Sequence, residues 1–214
     1  MNAIRFAVIS QKGGCGKSVV SRTVATVFQA MGWRTMLADM DVGQGTSVNW
    51  MARREANGLP VFDVLAATNP LMAINAADER GAECVVFDGA PHATRLTLDV
   101  AMLASMNLIP TGLALDDLLP AVQLAQSLQA QGVAPQTIAF VLNHAGDSER
   151  EIQEARDYLE AAGFYVVPGA LRERTCYRLT LDQGRALTEC QWAGAKDDAA
   201  QVMQAIINRL ESLA

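Results

Sequence analysis

Lysine is nearly missing: only Lys12, Lys17 and Lys196 occur among 214 residues, and arginine carries the rest of the positive charge. Basic residues are also outnumbered, 17 to 23, for a formal net charge of −6. That balance excludes a strongly basic nucleic-acid module, although it leaves room for a local patch. Aromatic residues make up 6% of the chain, so Ala, Leu and Val must fill the core. No apolar run approaches the roughly 18 residues that span a bilayer, and no basic leader precedes the first strand pattern. The chain therefore reads as a soluble cytosolic protein. Its four cysteines, Cys15, Cys84, Cys176 and Cys190, are scattered without a Cys-x-x-Cys pair. Its two histidines, His92 and His144, read as loop residues outside any metal-ligand spacing. Neither a disulfide framework nor a zinc site is expected.

Half of the residues are apolar and 19% are charged, which excludes disorder and supports one domain over 1–214. Near-continuous apolar runs predict strands at Ile4–Ser10, Arg34–Asp41, Glu83–Asp88, Asn107–Thr111, Thr137–Asn143 and Phe164–Pro168, with a short edge strand near Pro60. Helical periodicity separates them at Lys17–Met31, Ala93–Ala104, Asp116–Gln131, Ser148–Ala162 and Asp197–Leu213. In the first of these helices Val20, Val24, Val27 and Met31 share a face, and Gly32 supplies the stop. The segment Gly169–Ala195 has no clean period. Apolar strands alternating with helices imply an α/β fold of three layers, a doubly wound, mostly parallel sheet covered on both faces, with ligands at the carboxyl ends of the strands.

Two of the three lysines fall within eight residues, QKGGCGKS, Gln11–Ser18, between a strand and a helix. In that setting a glycine-rich loop wraps phosphates with its backbone N–H groups. Gly13, Gly14 and Gly16 permit close approach, with Cys15 and Val19 in the same wrap. Lys17 reaches the β- and γ-phosphates, and the Ser18 hydroxyl serves Mg²⁺. The usual pattern wants glycine at position 11, where this chain has Gln11, and Lys12 is added. A second lysine at the loop's start has no room at the phosphates that Lys17 serves, so it points outward.

With Lys12 the stretch resembles the deviant Walker A class of P-loop ATPases, the ParA/MinD family and the nitrogenase iron-protein relatives. The resemblance covers nearly the whole chain and implies that Lys12 crosses a dimer interface to the partner's ATP. It also implies that DMDVGQGTSVNW, Asp39–Trp50, is switch I, with Asp41 positioning the attacking water and Asp39 supporting Mg²⁺. The family's Asp-x-Asp-Pro-Gln-Gly is altered here, with Val42-Gly43 ahead of Gln44-Gly45. VVFDGAP, Val85–Pro91, is similar to Walker B with switch II, where Asp88 makes outer contacts to the metal. Asn143 and Pro168 match positions at which relatives hold adenine.

Among family branches the sequence is most similar to small ParA-type partition ATPases without an N-terminal DNA-binding extension. Trp50 after switch I and the late run RERTCYRLTLDQGRALTE, Arg172–Glu189, with its Gly-x-x-[Val/Leu]-x-Glu ending, support that placement. The final helix carries only Arg209 against Glu211, so it lacks the basic face of a membrane-binding branch. No cysteine between Asp88 and Cys176 could serve a shared iron–sulfur cluster. The resemblance implies ATP and Mg²⁺ as ligands, a homodimer formed on ATP, non-specific DNA as a nucleoid-bound track, and a ParB-like cargo adaptor that stimulates hydrolysis. Positioning of a protein organelle such as a carboxysome is one alternative. A metabolic ligase or kinase of the dethiobiotin-synthetase type is an alternative of another class. Positive charge is enriched between Ala170 and Lys196, where Arg172, Arg174, Arg178, Arg185 and Lys196 face only Glu173, Asp182 and Glu189; these five are the expected DNA contacts.

Overall fold

The computed structural model describes residues 3–90 and 95–213. Its elements run β1 (Ile4–Val8), α1 (Lys17–Ala30), β2 (Thr35–Asp39), α2 (Thr46–Ala56), β3 (Asp63–Ala66), α3 (Pro70–Glu79), β4 (Cys84–Asp88), α4 (Arg95–Leu103) and β5 (Met106–Thr111). They continue with α5 (Leu115–Ala130), β6 (Ile138–Ala145), α6 (Glu149–Ala161), β7 (Tyr165–Val166), β8 (Leu171–Arg172), α7 (Thr175–Asp182) and α8 (Ala193–Glu211). The sheet order is β3-β2-β4-β1-β5-β6-β7, with β8 pairing the far end of β6. Every pairing is parallel.

The strands are apolar throughout because both sheet faces are covered. Alternate residues of β1 and β4 go to opposite sides. Phe6, Val8 and Val86 pack with Val20, Val24 and Phe28 of α1 and Val202 and Ile206 of α8. Ala7, Val85 and Phe87 pack toward α3, α4, α5 and α6 on the other face. This is the three-layer, doubly wound arrangement expected. β1 lies at its centre, and the chain order reverses on either side, which is where such sheets open a crevice at their carboxyl ends.

Several expectations need correction. Met31 is 52% exposed, because α1 ends at Ala30, and Phe28 takes the core position instead. Helices α2 and α3 were not anticipated. The irregular stretch 169–195 holds β8, α7 and a 3₁₀ turn at Leu187–Glu189, and α8 begins at Ala193, earlier than Asp197. The edge strand near Pro60 forms as β3. Pro91, His92 and the first residues of the helix expected from Ala93 lie outside the described residues. No helix among the described residues is long and apolar enough to cross a membrane.

Candidate active site

The carboxyl end of β1 feeds a loop that turns directly into α1. Gly16, at the N-cap, has φ 96° and offers no side chain to the first-turn N–H groups, which stay free for an anion. A side chain there would collide with the Asn143 amide, so glycine is required for space as well as conformation. The loop bounds a cleft of about 270 Å³. Gly13, Gly14, Lys17, Ser18 and Val19 line one wall, Asp41 and Gln44 from the loop after β2 with Thr46 at the start of α2 a second, and Asp88 and Gly89 at the end of β4 a third. Cys15 is buried beneath the loop, its thiol donating to the Lys12 carbonyl.

The two lysines separate. Lys17 is buried against the cleft, and its ammonium donates to the Lys12 carbonyl at 3.1 Å. The Lys12 side chain leaves the cleft and pairs with Asp117 at the start of α5, also reaching the Asp116 carbonyl at 3.5 Å. That carbonyl is available because Pro120, four residues on, has no N–H to donate. The Asp117 contact raises the Lys12 pKa above its ordinary value.

Asp88 is buried, with one oxygen accepting from Ser21 at 3.2 Å and the other from Ser47 at 2.6 Å. Burial pushes its carboxyl above the usual range, against the Ser47 hydrogen bond and the Arg22 charge. Asp39 does not line the cleft. Its oxygens accept from the backbone N–H groups of Asp41, Ser47 and Val48, so its direct work is to shape the loop and start α2. Arg22 lies behind this pair, its Nε donating to the Ser47 hydroxyl at 3.0 Å; burial lowers its pKa, opposed by Asp88.

The donor set suits a magnesium nucleotide. Among the described residues no three His, Cys, Asp or Glu side chains form a metal cluster. Mg²⁺ characteristically takes one or two carboxylates together with substrate phosphates, and Ser18, Asp88 and the free N–H groups of the loop offer that combination.

Of the adenine positions, Asn143 is at the loop but its amide donates to the Cys15 carbonyl at 2.8 Å. The neighbouring His144 ring bonds the Gly14 carbonyl at 3.1 Å, with its own backbone at φ 55°. Pro168 lines a different cleft, with Arg156 and Tyr165. The five basic candidates also divide. Arg172 is held by Asp147, Glu149 and Asp198, Arg174 by Asp198, and Arg178 by Glu173. Arg185 and Lys196 form no salt bridge among the described residues, although Arg185 lies in the field of Glu189.

Arg54, which no sequence motif marks, joins Trp50 and the Gly-x-x-Leu-x-Glu ending through α2. Arg54 is 2% exposed at its side chain and grips Glu189 with both guanidinium arms, at 2.6 and 2.7 Å. Trp50 is fully buried, with the Arg22 and Arg54 guanidinium groups over its ring at 5.7 and 5.4 Å from the centre. The Gly-x-x-Leu-x-Glu ending thus has a physical basis. Gly184 carries φ 73° against the α2 backbone, where a side chain would strike Arg54, and Glu189 closes the ion pair.

Residues 6–185 match the family model described as the CobQ/CobB/MinD/ParA nucleotide binding domain. No curated protein matches the sequence significantly. Among solved structures, the Pyrococcus horikoshii septum site-determining protein MinD with Mg-ADP superposes with a TM-score of 0.75 at 14% identity, covering 99% of both chains. A Borrelia burgdorferi putative plasmid partition protein bound to AMPPNP gives 0.73 at 12% identity, over 97% of this chain and 99% of that one. The Mycobacterium smegmatis cobyrinic acid a,c-diamide synthase, with an ATP analogue and magnesium, gives 0.67 at 17% identity, over 98% and 96%.

Proposed function

Because the chain belongs to the CobQ/CobB/MinD/ParA nucleotide-binding family, we propose that it is an Mg²⁺-dependent ATPase of the partition type. In this reading ATP binding drives homodimerisation, the dimer holds DNA without sequence preference and so associates with the nucleoid, and a ParB-like adaptor on a cargo stimulates hydrolysis. The observation that carries it is the parting of the two lysines: Lys17 stays on the cleft, while Lys12 turns its charge out toward α5. In this reading Lys12, tied to Asp117 within the single chain, is the cation that serves a second molecule's phosphates.

Within one protomer, the loop N–H groups and Lys17 hold the β- and γ-phosphates, and Asp41 on the facing wall orients the attacking water. Ser18 and Asp88, both on the cleft, would hold Mg²⁺, with Asp39 fixing the loop that carries Asp41. Mg²⁺ held there would supply positive charge against the negative charge that develops on the transferred phosphoryl group. Asn143, through its bond to the Cys15 carbonyl, sets the loop's shape. Arg185 and Lys196 become the leading DNA contacts, since Arg172, Arg174 and Arg178 are already matched by acids.

The test is phosphate release from Mg-ATP by the purified chain alone, followed by DNA retention with and without ATP across a salt series. Turnover without any small-molecule acceptor, and DNA retention that requires ATP and weakens steeply with salt, are expected. Turnover that depends on an added acceptor would move the chain to the ligase class. Retention indifferent to nucleotide would remove the DNA part of the proposal.

A further inference from the structure

Ser47 has no exposed surface and stands between the two carboxylates of the metal reading. Its N–H donates to Asp39 at 2.8 Å, its hydroxyl donates to Asp88 at 2.6 Å, and Arg22 donates to the same hydroxyl. Three residues on, Trp50 packs under Arg22 and Arg54, and its indole N–H donates to the Arg185 carbonyl at 3.2 Å. Four residues further, Arg54 binds Glu189, the Gly184 carbonyl and the Pro60 carbonyl. The i, i+3, i+7 spacing puts Ser47, Trp50 and Arg54 on one face of α2, spanning about 10 Å. Each contact along that line is buried or half-buried and satisfied, and close-packed interiors pass displacement on rather than absorb it. The far end of the line is the segment Gly184–Glu189, whose Leu187 N–H also returns to Thr23 of α1.

We propose that Ser47 is a positioning residue for the metal site, and that the line Ser47, Arg22, Trp50, Arg54, Glu189 couples the placement of Asp39 and Asp88 to that of the segment 184–189. The inference rests on the reading of Asp88 as a metal-site residue and of Asp39 as the residue that shapes the loop carrying Asp41. Its consequence is regulatory. A change in the seat of Asp88 on filling the site would reach Ser47 and, along α2, the backbone of Arg185, one of the two basic candidates without a salt bridge among the described residues. Polyanion binding would then follow nucleotide state within each protomer, before any doubling of charge by dimerisation. By linkage the effect is reciprocal: disturbing the far end must change Mg-nucleotide affinity.

Hydrogen exchange read by mass spectrometry on the full chain tests this in three states: free, with Mg-ATPγS, and with ATPγS plus EDTA. Amides of 13–18 report the cleft and those of 183–190 the far end. About a fivefold or larger Mg²⁺-dependent change in exchange at 183–190 is expected, a typical coupling strength. W50F keeps an aromatic ring but deletes the pyrrole ring with its N–H to Arg185, and touches nothing that lines the cleft. It should lose that change and weaken Mg-dependent binding of mant-ATPγS by a similar factor, whereas a purely packing role would lower thermal stability alone. S47A should show the same loss of coupling. Protection at 13–18 with exchange at 183–190 unchanged in wild type overturns the proposal and needs no variant. So does W50F with coupling and affinity both intact. No protection at 13–18 in any state instead defeats the nucleotide reading, and this inference falls with it.

Discussion

Replacing Arg54 by methionine isolates the ion pair that ties α2 to the end of the Arg172–Glu189 run. The side chain is 2% exposed, and the change leaves the Glu189 carboxylate without its cation and the Pro60 and Gly184 carbonyls without their donors. Breaking a buried pair from one side costs about 3–5 kcal/mol. Glu189 keeps the Ala186 N–H at 2.7 Å and its side chain is 24% exposed, which argues for the lower end. The two orphaned carbonyls raise the total to about 4 kcal/mol. For a chain of this length that corresponds to a fall in Tm of roughly 8–16 °C. The pH dependence has a definite sign. Burial alone raises the Glu189 pKa, but the hydrogen bonds from Arg54 and Ala186 and the charges of Arg54 and Arg185 outweigh it, so the folded value lies below the ordinary one. The stabilisation is therefore complete above the unfolded pKa of about 4.3 and lost as pH falls through the lower folded value. Urea titrations of wild type and R54M should differ most near neutral pH and draw together as pH falls through the folded value of Glu189, with the part due to the two orphaned carbonyls remaining. Replacing Glu189 by methionine in the R54M background should recover part of the loss, because the charge left behind is the main penalty. A loss under about 1 kcal/mol at pH 7, or a gap that widens in acid, would show that the pair behaves as a surface salt bridge and would refute the reasoning.

K17A should lose mant-ATP binding, whereas K12A should bind nearly normally yet fail to dimerise with ATP on size exclusion; equal loss of monomer affinity in both would count against a trans role for Lys12. D41A should bind Mg-ATP and dimerise while hydrolysing at least about 100-fold more slowly, since positioning supplies most of phosphoryl-transfer catalysis; near-normal turnover in a phosphate-release assay would discard Asp41. Charge reversal at Arg185 and Lys196 together should reduce ATP-dependent DNA retention more than reversal at Arg174 and Arg178, whose charges are already matched by Asp198 and Glu173. The opposite order in a filter-binding series would place the patch on α7.

The parts of the molecule that could be read from sequence are those whose chemistry is local. The phosphate loop declares itself because strand, glycines, Lys17 and helix are contiguous, and the central strands do so because burial on both faces leaves them apolar throughout. Helix α2 stayed hidden for the opposite reason. Its buried face is Ser47, Trp50 and Arg54, and two of those three are held by hydrogen bonds and charge rather than by apolar contact. Hydrophobic periodicity registers only the apolar part of such a face. Helix α3 failed differently: it buries Ala73, Ile74 and Ala77 but leaves Leu71 and Met72 largely exposed, so apolar residues surround it and no stripe appears. Charge counting along 170–196 found the arginines but not their partners, because Asp147, Glu149 and Asp198 lie outside that window and meet Arg172 and Arg174 only in space. The same holds at the cleft, where the outward turn of Lys12 was legible and its tie to Asp117, 105 residues away, was not. A basic residue counted without its acid overstates the positive surface, and a buried polar residue counted as exposed conceals a helix. Both errors come from assigning to a side chain alone a property that belongs to the pair it forms.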